Sequence, residues 1–156
     1  MQKRMKQEIQ DLLRRGIIHP STSLYSASTS VMEKKDGTIR ICSAPIGLNA
    51  ATIDDGQPLP NMRELMDAIA GTKYYSSWDL ISGFWQIEIE EEDKAKTAFS
   101  TLWGHYEYNV MPFRLKGAPA TFQCLMIKVL GPYLYDFVMI YLDDIIIFSQ
   151  TMNEHL

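Results

Sequence analysis

Two adjacent aspartates, Asp143 and Asp144, stand between apolar runs in "FVMIYLDDIIIFS", residues 137–149. Side by side they repel, and burial would keep one protonated unless a cation were bound. Carboxylate oxygens at such a place select hard cations, Mg²⁺ above all. The flanks lack the alternation of a half-wet sheet, so both faces read as covered and the turn as lying at the edge of a packed cleft. A two-residue hairpin turn without glycine also breaks a local rule. Such breaks are expected where a ligand offsets strain and repulsion. The plainer alternative is an exposed hairpin tip that happens to carry two acids. A third carboxylate, Asp79, ends the aromatic stretch "YYSSWD" before a bend that contains glycine. Alone it is more often a helix N-cap. Beside the hairpin it would complete a trio able to hold two Mg²⁺ ions roughly 3.5–4 Å apart for in-line attack on a phosphate.

The elements that would position these acids follow from periodicity and punctuation. Met5, Ile9, Leu12 and Leu13 give residues 4–13 an amphipathic helix ending at Gly16. "HPSTS" reads as a loop. "SVMEKKDGTIRICS", residues 30–43, is a hairpin about its Asp-Gly turn, with a basic tip. "LPNMRELMDAIAG" is a second helix between Asn61 and Gly71, and "APATFQCLMIKVLGP" a third, with Pro119 in its first turn and Gly131 at its end. "KYYSSWDL", "FWQIEIE" and "KTAFST" read as extended segments. Helices and strands alternate irregularly, which predicts an α+β fold with a mainly antiparallel sheet.

Composition sets the outer bounds. A chain of 156 residues, 46% apolar and 22% charged, fits one domain with an ordinary core. No apolar run is long enough for a membrane span and no secretory leader is visible, so a soluble intracellular protein without membrane contact is the expectation. Cys42 and Cys124 lack metal-site spacing and read as core thiols. A net charge of −4 argues against a protein that merely coats nucleic acid, whose affinity comes from neutralising phosphates.

Seven blocks, "GIIHPSTS", "KKDGTIRIC", "LNAATIDDGQPLP", "WDLISGFWQI", "KTAFST", "MPFRLKGAPATFQ" and "YLDDIIIFS", occur in an order that resembles the reverse transcriptase domain of gypsy-type LTR retrotransposons. The resemblance implies an RNA-directed DNA polymerase homologue: a fingers-and-palm fragment, about 1–78 largely fingers and about 79–156 largely palm, interleaved. It implies Asp79, Asp143 and Asp144 as catalytic metal ligands for two Mg²⁺ ions, with Mn²⁺ as the alternative. Lys34 and Arg40 match the fingers region that meets the triphosphate. Phe84 matches the aromatic that excludes a ribose 2′-OH, and Gln123 lies on the helix supporting the template. The implied partners are a primed RNA or DNA template, dNTPs and, where the chain is a piece of one, the rest of a polyprotein. Without the resemblance, Phe84 is equally a core residue and a basic hairpin tip is usually just solvated.

The departures from the family pattern are specific. "SAPIG" replaces an Asp-Tyr-Arg run, leaving Ala44 and Ile46 where an acid and an arginine are usual. Arg114 replaces a glycine at a place where backbone must approach the incoming nucleotide; its side chain is expected near Phe84 or the aspartates, paired with a carboxylate and obstructing the pocket. Ile81 replaces an arginine. The sequence ends at Leu156 without thumb or RNase H segments, so this chain alone is expected to show no processive synthesis. Two readings therefore stand: a polymerase acting by nucleotidyl transfer to a primer 3′-OH, and a non-catalytic relic that at most binds nucleic acid weakly.

Overall fold

The computed structural model describes residues 2–33, 37–53, 61–142 and 144–156. Along the chain run α1 (Gln2–Arg14), β1 (Ile18–Pro20), β2 (Ser28–Glu33), β3 (Ile39–Ala44), α2 (Ile46–Ala51), α3 (Met62–Ile69), β4 (Tyr74–Asp79), α4 (Glu91–Lys94), β5 (Phe99–Thr101), β6 (Gly104–Tyr108), α5 (Ala118–Leu130), β7 (Val138–Tyr141), β8 (Asp144–Ser149) and α6 (Met152–His155). The strands pair antiparallel in three small sheets, ordered β1-β6-β5, β2-β3 and β4-β8-β7. The fold is thus α+β with antiparallel sheets, as the alternation predicted. Among the described residues no helix is long and apolar enough to cross a membrane.

The chain forms two compact units, Met1–Ile53 with Phe84–Ala118, and Asp54–Gly83 with Pro119–Leu156. In the first, the apolar stripe of α1 buries Ile9 and Leu12 against Ile18, Ile41, Phe99, Tyr106 and Tyr108. Gly16, at φ 69, supplies the left-handed residue that ends the helix. Burial raises the Tyr108 phenol above its ordinary pKa, against the opposing effect of a hydrogen bond with Ser43. In the second unit, Leu65 of α3 packs with Met139 and Phe148 of the β4-β8-β7 sheet. The helix begins where expected because the Asn61 side chain accepts a hydrogen bond from the Arg63 N–H.

Three segments differ from the sequence reading. "HPSTS" is not wholly a loop, since His19 and Pro20 pair with Glu107 and Tyr106; the pairing is fixed by the His19 imidazole against the Glu107 carboxylate at 2.8 Å. "FWQIEIE" is not a strand. Its first residues form a 3₁₀ turn, Gly83–Gln86, and only Glu88 makes an isolated bridge, to Val110. Aromatic content suggested extension, but Phe84 and Trp85 both pack on Phe113, the first tilted and the second edge-on, which a turn allows. Residues 46–51, read only as part of a sequence block, form α2, too short and too irregular in pattern to announce itself.

Candidate metal and nucleotide site

The expected hairpin exists. β7 and β8 pair from Val138↔Ile147 to Tyr141↔Asp144, with Leu142 in the connection that follows β7. Asp143 itself lies outside the described residues. Leu142 takes φ 55, a conformation that costs an L residue with a Cβ roughly 1–2 kcal/mol. The turn is held from α5: the Oε1 of Gln123, a buried residue, accepts the Leu142 N–H at 3.2 Å. The resemblance implied that Gln123 lies on the helix supporting the template; its side chain also braces the Leu142 turn.

Asp79 is the last residue of β4 and the register partner of Asp144. Directly opposed residues of an antiparallel pair share a sheet face with Cβ atoms roughly 4.5–5.5 Å apart, so the two carboxylates stand side by side. On the same face α3 covers the other end, with Leu65, Ala68 and Ile69 against Met139, Tyr141, Ile146 and Phe148. The acidic end stays exposed. Like charges opposed in this way destabilise the pair. Neither carboxylate meets a Lys or Arg in an ion pair among the described residues. Two exposed carboxylates on one rigid sheet end are a donor set that suits a hard divalent cation. Among the described residues no third acid, His or Cys joins them.

A second constellation belongs to the first unit. Lys34 lies outside the described residues, but Arg40 and Phe84 are both brought to Phe113. The Arg40 guanidinium sits over the Phe113 ring at 4.7 Å and the Phe84 ring packs on it at 5.5 Å. The next residue, Arg114, has φ 71, which explains in backbone terms why glycine suits this position. Its guanidinium does not pair with a carboxylate among the described residues; it reaches the Met32 thioether, Nη2 to Sδ 3.5 Å. Glu33, the acid beside Met32, is already bonded to Arg4 at 3.0 Å. The strained loop has its own brace, Asn49 within α2. Its Nδ2 donates to the Arg114 carbonyl at 2.8 Å and its Oδ1 accepts from the Lys116 N–H at 2.9 Å. Sequence reasoning missed Asn49, although a lone carboxamide in an otherwise apolar block was the available signal. Ile46, where the resemblance would place an arginine, is largely exposed.

Comparison with known proteins gives these geometries a context. Residues 32–156 match the family model described as "Reverse transcriptase (RNA-dependent DNA polymerase)". The retrovirus-related Pol polyprotein from transposon 297 of Drosophila melanogaster is 44% identical over 157 residues, covering 97% of this chain and 15% of the polyprotein. The enzymatic polyprotein of Cauliflower mosaic virus (strain CM-1841) is 40% identical over 153 residues, covering 96% of this chain and 22% of its own length. The chain therefore spans less than a quarter of these relatives. Among solved structures, the foamy viral protease-reverse transcriptase in complex with dsDNA superposes with a TM-score of 0.88 at 25% identity, over 99% of this chain and 32% of that one. The native Prototype Foamy Virus protease-reverse transcriptase gives 0.81 at 27% identity, over 94% and 20%. Ordered motifs, paired carboxylates at the end of a three-stranded antiparallel sheet and the family match together place this chain in the reverse transcriptase family.

Proposed function

We propose that this chain is the metal- and nucleotide-binding part of an RNA-directed DNA polymerase that transfers a deoxynucleotide from a dNTP to a primer 3′-OH. The observation that carries the reading is the register Asp79↔Asp144, which stands two carboxylates side by side at an exposed sheet end. In this reading Asp79, Asp143 and Asp144 hold Mg²⁺, with Mn²⁺ as the substitute. The bound ions would supply Lewis acidity toward the primer hydroxyl and charge neutralisation at the pyrophosphate. Gln123 holds Leu142 by a hydrogen bond, which supports a turn preorganised for metal binding. Arg40, over the Phe113 ring, would offer its N–H groups to phosphate, and Lys34 would add positive charge. Phe84, fixed against Phe113, would wall the sugar pocket. Template and primer, DNA or RNA, would be bound through backbone and duplex shape rather than base identity. The solved foamy viral relative is bound to dsDNA, which supports that partner class.

The relic reading is favoured by one observation: Ile46, exposed where the resemblance expects an arginine, removes a phosphate contact. Primer extension decides between the two. With the chain joined to the downstream segment of the transposon 297 polyprotein, Mg²⁺-dependent extension of a primed RNA template is expected. Asp79→Asn and Asp143→Asn should each lower it by about 10³-fold or more. Absence of extension, or extension that survives both substitutions, would favour the relic.

A further inference from the structure

Arg40 and Arg114 are related by the β2-β3 ribbon. Met32 and Arg40 are register partners, so their side chains leave the same face of the ribbon. The Arg114 guanidinium rests on Met32 at 3.5 Å and the Arg40 guanidinium on the neighbouring Phe113 at 4.7 Å. Two permanent cations are thereby carried to adjoining positions on soft, uncharged supports. Neither has a carboxylate partner among the described residues, and the local acid, Glu33, is engaged by Arg4. Two guanidinium groups on such adjoining supports, without an acid partner, suit an anion with several oxygens. The loop that presents Arg114 is locked from both sides by Asn49, so the second cation is placed and not merely tethered.

We infer that Arg114 is a substrate-binding residue in this chain, forming with Arg40 a two-arginine clamp for the polyphosphate of the incoming nucleotide. This rests on the polymerase reading above and revises the expectation that Arg114 obstructs the pocket. It also assigns a source for positive charge in a unit that carries Ile46 in place of an arginine. A glycine at 114 would fit the backbone better, since φ 71 favours it, so the arginine is kept at a conformational cost that its charge offsets.

The test is a calorimetric titration of the 156-residue chain with sodium tripolyphosphate, without metal, at low salt. Tripolyphosphate should bind, more tightly than orthophosphate, and Arg114→Gly and Arg40→Gln should each weaken it about tenfold or more, with Arg114→Lys retaining part of the affinity. Arg114→Gly should at the same time raise the melting temperature, because it relieves the left-handed backbone; affinity and stability then move in opposite directions. Equal or tighter binding by Arg114→Gly would overturn the proposal. So would a dependence on Arg114 seen only with a single-stranded oligonucleotide, which would make the arginine a strand contact. The titration contains no primer, template or divalent ion. A failure of the carboxylate reading would appear in primer extension and leave this titration untouched, so the two failures are distinguishable.

Discussion

Two strained turns, one in each unit, solve the same problem differently. At the hairpin, Leu142 adopts φ 55 and is held by one hydrogen bond from buried Gln123; at the other loop, Arg114 adopts φ 71 and is held by two bonds to the half-exposed Asn49. In both, a side-chain amide on a helix satisfies backbone groups that a glycine turn would leave to water or to the strand ladder. The difference is burial. A buried brace is costly to lose, because the group it served is then unpaired in a place water reaches poorly. A half-exposed brace can be replaced by solvent. The aspartate hairpin thus rests on a buried brace and the Arg114 loop on a half-exposed one.

That contrast can be broken experimentally. Gln123→Ala should cost about 3 kcal/mol in urea unfolding, from the unpaired Leu142 N–H plus the cavity left in the packing around α5. A loss under about 1 kcal/mol would mean that the turn holds itself. Asn49→Ala should cost only about 1–1.5 kcal/mol, and its amide-exchange signature should be confined to the Arg114–Lys116 loop. Equal costs for the two amides would remove the distinction between the supports. Arg114→Gly should stabilise by about 1 kcal/mol, the penalty of a Cβ in the left-handed region less the entropy of a new glycine.

The smallest effect is a pH dependence in the first unit. The folded-state pKa of Tyr108 is raised by burial, so the folded chain keeps the phenolic proton at pH values where the unfolded chain has lost it. Its contribution to stability is whole below the ordinary value of 10.0 and is lost as pH rises through the folded value. Tyr108→Phe should flatten the alkaline limb of the stability curve, and an unchanged limb would assign it to another group.

Much of this could be read from the chain because the signals were local. Asn61 and Gly71 bracket α3, and Gly37 falls between β2 and β3. The continuous apolar runs around the aspartates belong to strands that bury Val138, Met139 and Ile140 in succession. Other features were invisible for the opposite reason. β6 pairs with β1 across nearly ninety residues, and its alternation over "GHYEY" is too short to stand out. Asn49 and Gln123 act through single long-range hydrogen bonds, which no periodicity encodes. The broken turn rule at "LDD" was legible as an anomaly, but not the identity of the residue that tolerates it, Leu142, or of the one that holds it.

The central claim is that the Asp79 and Asp144 carboxylates share a divalent cation. Mn²⁺ titration of the folded chain, followed by electron paramagnetic resonance, tests it without requiring catalysis. Saturable binding is expected, weakened more than about tenfold in Asp79→Asn and in Asp144→Asn alike, since each removes a proposed ligand from one sheet end. Mn²⁺ binding that is unchanged in Asp79→Asn would contradict it, because the opposed pair would then not be the place where the metal sits.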